Sequence, residues 1–409
     1  MKLGNVMVGQ SGGPTSVINA SLVGVFKTAK DEGCDKVYGM RNGIEGLLQD
    51  RYVDMSDYIK NDLDIELLKR TPSSFLGTCR YKLPKATDAP EIYETLFKIL
   101  NKLEIKFFFY IGGNDSMDTI MQLSEYGNRT GSEIRFMGVP KTIDNDLALT
   151  DHTPGYGSAS KYIATAMKEI IRDAKTYPND SVTIVEVMGR NAGWLTASSY
   201  LSRSEDCAGP DLIYLPEKIF DHEKFLKQIE EAKRKEKAVI IAVSEGIKTS
   251  DGLYVCEANK KSSITDAFGH KLLGGTALYL SDYVTYNLGY KSRGIVLSTL
   301  QRCASHLVSR RDITEAFTAG GDAVLWALKG ESGKMVSFER ISNAPYSIIT
   351  DVKDIRLIAN KEKRVPDEWI INDGTYVSRE FDAYARPLII GELSPFMVDG
   401  LPRHLFIDK

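Results

Sequence analysis

Cysteine is scarce in this sequence, and its spacing excludes several classes of protein. The five cysteines are scattered over 409 residues, with no CxxC pair and no cluster of cysteine and histidine. Zinc sites and disulfide-stapled small folds depend on such clusters. We therefore expect reduced thiols and a cytoplasmic location.

Long apolar runs and an excess of one charge are also missing. No stretch of about 18 or more apolar residues occurs, and the start, MKLGNVMVGQSGG, lacks the apolar core of a signal peptide. The formal net charge is -3. We therefore expect neither a membrane nor a nucleic acid as partner, and any phosphate-binding site must use local arginines and lysines.

Short apolar strands alternate with amphipathic helices along most of the chain. We predict strands at 5–8, 36–39, 105–111, 133–140, 181–187, 212–215 and 239–243. We predict helices at 91–102, 158–173, 194–201 and 222–237, and two more that begin near residues 15 and 115. This order indicates an α/β protein with mostly parallel sheets, and the length is sufficient for two domains.

Two of the predicted strands end in loops that carry glycines and carboxylates. The first loop lies in YIGGNDSMDT, after strand 105–111, and the second in MGVPKTIDNDL, after strand 133–140. Parallel strands of one sheet bring such loops to one edge, where α/β sheets bind ligands. Glycine backbone can approach a phosphate, and carboxylates can hold a cation or accept a proton. The pair predicts phosphoryl transfer, although each loop alone fits a tight turn or a helix cap.

PKTIDND, with GGNDS before it and VEVMGRNAGWL after it, resembles the 6-phosphofructokinase family. The resemblance runs from about residue 5 to residue 312 and is greatest to the branch that uses pyrophosphate instead of ATP. It implies two Rossmann-like lobes with the active site in the cleft between them. The implied donor lobe spans 1–157 and about 302–360, and the sugar-phosphate lobe spans 158–301. We expect 361–409 to be an ordered extension packed on the lobes, and the protein to be a homodimer or homotetramer.

The resemblance also implies a role for individual residues. Asp144 would be the general base, assisted in catalysis by Thr142, Lys141 and Asp115. The phosphoryl donor would contact Gly12, Gly13, Arg80, Gly113, Asn114, Ser116 and Lys141. The sugar phosphate would contact Thr142, Ile143, Asp144, Met188, Gly189, Arg190, Glu245, Arg293, Thr299 and Arg302. Mg²⁺ would be held by Asp115, Asn114 and Asp146.

Several positions depart from the family pattern, among them residues 14–17, which read PTSV where relatives have DAPG after the first glycine pair. Thr299 stands where many relatives have histidine or tyrosine, and Ser181 stands where the ATP enzymes have an arginine that reaches a neighbouring subunit. Asn114 replaces an aspartate usually credited with magnesium, so we expect Asp115 to contribute to metal binding in its place. The catalytic loop matches the family more closely than the sugar-phosphate site does.

Two substitutions bear on the phosphoryl donor. ATP-dependent relatives have glycine at the positions of Asp115 and Lys141. Asp115 would place a negative charge where the α-phosphate of ATP must sit, and Lys141 would supply a cation to the leaving phosphate of pyrophosphate. We expect pyrophosphate-dependent phosphorylation of fructose 6-phosphate. An ATP-dependent enzyme, a non-catalytic sugar-phosphate sensor and the use of sedoheptulose 7-phosphate remain alternatives.

Overall fold

The computed structural model describes residues 3–259 and 273–407, which form two α/β lobes. The strands are β1 (Asn5–Gln10), β2 (Val37–Met40), β3 (Tyr52–Asp54), β4 (Ile105–Gly112), β5 (Arg135–Pro140), β6 (Ser181–Val187), β7 (Leu212–Tyr214), β8 (Ala238–Ser244), β9 (Lys291–Val296), β10 (Lys334–Asn343), β11 (Tyr346–Asp354), β12 (Ile370–Ile371), β13 (Tyr376–Val377), β14 (Met397–Val398) and β15 (Leu401–Pro402). The helices are α1 (Ile18–Asp31), α2 (Gly43–Leu47), α3 (Asp62–Arg70), α4 (Pro90–Lys102), α5 (Asn114–Thr130), α6 (Tyr156–Ala174), α7 (Trp194–Ala197), α8 (His222–Lys233), α9 (Thr276–Leu288), α10 (Arg310–Leu328) and α11 (Arg379–Ala385).

The large-sheet lobe is built on a sheet with the strand order β11-β10-β5-β4-β1-β2-β3. All of its strand pairs are parallel except β2–β3 and β10–β11, at the two edges. The centre of β4 is a continuous apolar run that is buried on both faces, as expected where helices cover both sides of a sheet. The register pairs Gln10 with Ile111 and Gly112 with Pro140. The carboxyl ends of β1, β4 and β5 are therefore level.

The small-sheet lobe has the strand order β7-β8-β6-β9, and all of its pairs are parallel. Val187 at the end of β6 pairs with Ser244 at the end of β8. The loops after these two strands therefore begin side by side. The α/β class with mostly parallel sheets, predicted from the sequence, is confirmed.

The chain returns to the large-sheet lobe after β9. Helix α10 packs on α1 through glycines on both helices: a Cβ atom at Gly24 would lie 2.1 Å from the carbonyl oxygen of Phe317, and one at Gly320 would lie 2.1 Å from that of Ser21. Glycine is required at both positions because the two backbones touch. This contact brings β10 and β11 back onto the first sheet.

The C-terminal segment, residues 361–407, packs on both lobes. Phe381 and Leu388 belong to the apolar cluster that also contains Ile163 and Trp194 near the small sheet. Further on, Leu405 packs against the core of the large-sheet lobe. Within the described residues, no helix combines the length and the apolar character needed to cross a membrane.

Two predicted helices are wrong at their C-terminal ends. The predicted helix 194–201 is the single turn α7 followed by a 3₁₀ turn, Ser198–Ser202. There the hydroxyls of Ser198, Ser199 and Ser202 donate to the carbonyl oxygens three residues earlier, which favours the tighter turn. The predicted helix 222–237 ends at Lys233, because the charged residues that follow offer no apolar side chain to bury.

We predict that Phe381→Ala lowers the free energy of unfolding by about 3–5 kcal/mol, since it empties a fully buried site. Denaturant titration measures the change. The same substitution at Phe406, which is 72% exposed, is the control and should cost under about 0.5 kcal/mol. Equal stabilities of the two variants would contradict the assignment of α11 to the core.

Candidate active site

The loops at the ends of the strands of both lobes line one cavity of about 320 Å³. Its residues are Gly12, Gly13, Pro14, Arg80, Gly113, Asn114, Asp115, Ser116, Lys141, Thr142, Ile143, Asp144, Asp146, Met188, Arg190, Asn191, Ala192, Glu245, Arg302 and Glu362. Most of the site residues expected from the sequence are in this set. The cavity therefore combines glycine turns, carboxylates and cations from both lobes.

Loop 141–146 leaves β5 at the floor of the cavity. The backbone N–H of Lys141 donates to the carbonyl oxygen of Gly112 (3.0 Å), which ties the loop to the end of β4. The N–H of Asp144 donates to Thr142 Oγ1 (3.1 Å). Asn145, between the two aspartates, has the left-handed φ of 55° and is fully buried. Asparagine tolerates this conformation better than most residues do. The hydrogen bond between Asp144 and Thr142 stabilises the turn from inside the loop.

Lys141 is buried, with 2% of its surface exposed. Its Nζ donates to the carbonyl oxygen of Gly13 (2.6 Å). Burial lowers the pKa of Lys141 to about 8, although the charges of Asp144 and Asp146 oppose the shift. A cation held at this point would interact strongly with an anion that enters the cavity, because little water screens it.

The two aspartates of the loop are shifted in the opposite direction. Burial raises the pKa of Asp144, while the positive charges of Lys141 and Arg190 act against this shift. Burial, together with the charges of Asp144 and Glu362, raises the pKa of Asp146 to about 7. A carboxylate whose pKa is raised binds a proton more readily than an ordinary aspartate does, and this property suits a general base.

A glycine turn after β1 forms the wall beside Lys141. Gly12 has a φ of 75°, a conformation that favours glycine, and its carbonyl oxygen accepts a hydrogen bond from Thr78 Oγ1 (2.7 Å). That bond pins the loop that carries Arg80 to the turn. A Cβ atom at Gly13 would lie 3.4 Å from the guanidinium of Arg302. The turn thus presents bare backbone between two cationic side chains, an arrangement suited to phosphate.

The N-terminus of α5 faces the same space. Gly113 precedes the helix, and Asn114, Asp115 and Ser116 form its first turn. A Cβ atom at Gly112 would lie 1.9 Å from Ser116 Oγ, so the strand can meet the helix this closely only with glycine. Helix N-termini attract anions, and Asp115 itself gains from this position.

The opposite wall comes from the small-sheet lobe and from the 3₁₀ turn Ser298–Arg302. The N–H of Met188 donates to Gln301 Oε1 (3.1 Å), which joins these two parts. The N–H of Gly189 donates to Glu245 Oε1 (3.3 Å). Burial raises the pKa of Glu245 to about 7. Arg190, Glu245 and Arg302 thus supply both charged groups and hydrogen-bonding groups to a polar ligand.

The family model for phosphofructokinase matches residues 5–326 of this chain. The chain belongs to the phosphofructokinase family. The resemblance deduced from the PKTIDND, GGNDS and VEVMGRNAGWL motifs is confirmed.

Relatives in the family resemble the chain over nearly its whole length. The pyrophosphate–fructose 6-phosphate 1-phosphotransferase of Halomonas elongata is 38% identical over 403 residues, which cover 98% of this chain and 95% of the relative. The protein of the same name from Methylococcus capsulatus is 38% identical over 405 residues, with coverage of 98% and 95%. The crystal structure of the pyrophosphate-dependent phosphofructokinase from Marinobacter aquaeolei superimposes with a TM-score of 0.87 at 35% identity, covering 100% of this chain and 98% of that one.

Three residues expected at the sugar-phosphate site of this phosphofructokinase do not line the cavity. Gly189 lies behind it and contributes only its N–H to Glu245. Thr299 is exposed at the start of its 3₁₀ turn. Arg293 lies on β9 with 60% of its side chain exposed, and its guanidinium is 3.8 Å from the carboxylate of Asp173. Together with Glu169 and Asp173 of α6, Arg293 lines a separate surface pocket and not this cavity.

Glu362 is a lining residue that the sequence reasoning missed. It follows β11 in the run KEKR, which reads as a solvated charged surface. In the structure its Oε1 accepts a hydrogen bond from Asn191 Nδ2 (2.9 Å), and its backbone forms a β-bridge with Leu147. It therefore contacts both the loop after β5 and the loop after β6. The apolar residues of the C-terminal extension were the one signal in the sequence that this segment packs on the lobes, and they did not identify Glu362.

A divalent cation fits the residues at the N-terminus of α5. Asn114 Oδ1 is buried and accepts no hydrogen bond from any described residue, and an amide oxygen is a ligand that Mg²⁺ accepts. Across residues 3–259 and 273–407, no three His, Cys, Asp or Glu side chains form a group that could hold a metal ion. Mg²⁺ is often held by one or two carboxylates together with phosphate oxygens. Asp115, Asn114 and Asp146 are compatible with such a partial set.

We predict that binding of a polyphosphate anion in the cavity, with inorganic pyrophosphate as the probe, weakens as the pH rises through about 8, because Lys141 then loses its charge. From pH 7 to pH 9 the charged fraction of a group with this pKa falls about tenfold. Calorimetric titration of wild type and Lys141→Met at both pH values measures the effect, since the ionisation of pyrophosphate itself is common to both proteins. An equal pH dependence in the two proteins would contradict the assignment.

Proposed function

We propose that this phosphofructokinase transfers a phosphoryl group reversibly between pyrophosphate and fructose 6-phosphate, with fructose 1,6-bisphosphate and phosphate as products. The observation that carries the proposal is the buried ammonium of Lys141 beside the Gly12–Gly13 turn, with Asp115 opposite at the N-terminus of α5. Relatives that are 38% identical over 98% of the chain carry the name of this activity.

In the forward direction Asp144 accepts the proton of the C1 hydroxyl of the sugar. The hydroxyl oxygen forms a bond to the terminal phosphorus of pyrophosphate, the bridging P–O bond breaks, and inorganic phosphate leaves. The raised pKa of Asp144 suits this role and its reversal, because the protonated group can return the proton to the product. Thr142 would steady the phosphoryl group in transit through its hydroxyl.

Cations on both sides would hold the phosphates in line. Lys141 and Arg80 would neutralise the donor, and Arg80 would also stabilise the charge that develops between donor and acceptor in the transition state. Arg302 would bind the sugar phosphate. Arg190 and Glu245 would bind the acceptor. Bound Mg²⁺ would add further charge neutralisation on the phosphates, held by Asp115, Asn114 and Asp146.

We further propose that the large-sheet lobe binds the phosphoryl donor and the small-sheet lobe the sugar phosphate. The residues assigned to the donor, apart from Arg80, come from the segments that follow β1, β4 and β5. Four of the ten residues assigned to the acceptor, Met188, Gly189, Arg190 and Glu245, come from the loops after β6 and β8. We also retain the homodimer or homotetramer implied by the family. In such an assembly Arg293, which lies outside its own cleft, would serve the cleft of another copy.

Replacing Asp144 tests the chemical step. We predict that Asp144→Asn lowers kcat by about 10²–10⁴-fold and leaves the KM for fructose 6-phosphate nearly unchanged, because a proton acceptor is lost while the shape of the site is kept. Steady-state assays in both directions measure this. Asp373→Asn is the control, because this side chain is 83% exposed on the C-terminal segment and does not line the cavity. A loss of less than tenfold would contradict the role of Asp144 as the base.

The choice of donor is tested by assaying purified protein with pyrophosphate and with ATP. We predict activity with pyrophosphate, weak ATP activity in Asp115→Gly, and a loss of pyrophosphate activity in Lys141→Gly, because only the first change removes the charge that opposes a nucleotide. Asp115→Asn keeps the bulk and removes the charge, so it separates the two effects. A wild-type preference for ATP would establish the ATP-dependent alternative, and binding of the sugar without turnover would establish the sensor.

A further inference from the structure

The C-terminal segment reaches the loop that carries the proposed base. The backbone N–H of Lys363 donates to the carbonyl oxygen of Asp146 (2.7 Å), and Lys363 Nζ donates to the carbonyl oxygen of Asp151 (2.8 Å). In turn, the carbonyl oxygen of Lys363 accepts a hydrogen bond from Trp194 Nε1 (2.9 Å) in the small-sheet lobe. Loop 141–153 is therefore bonded to a segment that lies beyond the part matched by the family model.

The most specific of these contacts is made by Tyr384 in α11. Its hydroxyl donates to the carbonyl oxygen of Asp151 (2.7 Å) and accepts from Asn145 Nδ2 (2.7 Å). Its ring packs against two tryptophans, Trp194 at 5.2 Å and Trp369 at 5.5 Å between ring centroids. Packing therefore fixes the ring, and the hydroxyl links Asn145 to Asp151 within loop 141–153.

Asn145 links Tyr384 to the carboxylates of Asp144 and Asp146. Its Oδ1 accepts a hydrogen bond from the N–H of Thr153 (3.1 Å), so both ends of the buried side-chain amide are bonded. These bonds hold the left-handed φ of 55° at Asn145. Because Asp144 and Asp146 are its immediate neighbours, a rotation of the Asn145 backbone would move both carboxylates.

We propose that Tyr384 is a positioning residue of the active site, acting through Asn145 on Asp144 and Asp146. The inference rests on the proposed function, in which Asp144 accepts the proton of the sugar. Loss of the Tyr384 hydroxyl leaves the amide N–H of Asn145 and the carbonyl oxygen of Asp151 without this partner, in a place with little water to replace it. The loop then samples other conformations, and the base spends less time in reach of the hydroxyl.

The test is Tyr384→Phe, which keeps the ring and removes only the hydroxyl. We expect kcat to fall about 10- to 100-fold while the KM for fructose 6-phosphate changes by less than about twofold. The reason is that Asn145 positions the proton acceptor, whereas Arg190 and Glu245, which would bind the sugar phosphate, lie outside loop 141–146. The matched control is Tyr214→Phe. The Tyr214 hydroxyl donates to Gln228 Oε1 (2.6 Å) in the small-sheet lobe, away from the cavity.

A double-mutant cycle tests whether the effect passes through Asn145. Asn145→Gly keeps access to the left-handed backbone and removes the amide. If Tyr384 acts through this amide, Tyr384→Phe lowers kcat far less in the Asn145→Gly background than in the wild type. Losses that simply multiply would overturn the proposal, as would a Tyr384→Phe kcat within twofold of the wild type. If Tyr384→Phe fails to fold, Asn145→Gly alone must show the loss of kcat at constant KM.

Hydrogen–deuterium exchange provides a readout that needs no turnover. Peptides covering 142–153 should exchange faster in Tyr384→Phe than in the wild type, and at the wild-type rate in Tyr214→Phe. An unchanged rate in Tyr384→Phe would overturn the inference. An inactive wild type with faster exchange in Tyr384→Phe would contradict the proposed function and leave the positioning contact standing.

Discussion

The burial of charge in the cleft is the constraint on which the rest of the site depends. Lys141, Asp144, Asp146 and Glu245 all have pKa values shifted toward their neutral forms, and burial is the largest cause in each case. Opposite charges nearby limit the shift of Lys141 and of Asp144. The shifts reduce the free-energy difference between the charged and neutral forms of these groups, which favours proton transfer. The cavity can also bind ligands whose charge compensates the buried charges.

The parallel sheets explain how so many charged groups come to share one cavity. The glycine turn, the start of α5 and loop 141–146 leave three level strands of the large sheet. Met188, Arg190 and Glu245 lie in the loops that follow β6 and β8, and the carboxyl ends of these two strands are level in the small sheet. Each lobe therefore supplies one side of the cavity. The chain then returns to the large-sheet lobe through α10.

The C-terminal segment adds a third wall. Glu362 enters the cavity and bonds to Asn191 of the small-sheet lobe, and its charge contributes to the raised pKa of Asp146. Its neighbour Lys363 bonds to the backbone of Asp146. The segment thus contacts both lobes at the point where they meet, so the conformation of the loop and the relative position of the lobes are linked.

The amino-acid sequence alone was sufficient for the α/β class, the family, and the loops around Gly12, Gly113 and Asp144. These features depend on short motifs at the ends of strands, where neighbouring residues in the chain are also neighbours in space. The contacts of Glu362 and Tyr384 could not be predicted, because each joins residues more than about 150 positions apart and neither lies in a motif with a chemical signature. The position of Arg293 outside the cleft, beside Asp173 of α6, could not be predicted either. Only the tertiary structure decides which helix covers which face of a sheet, since that depends on packing among distant parts of the chain.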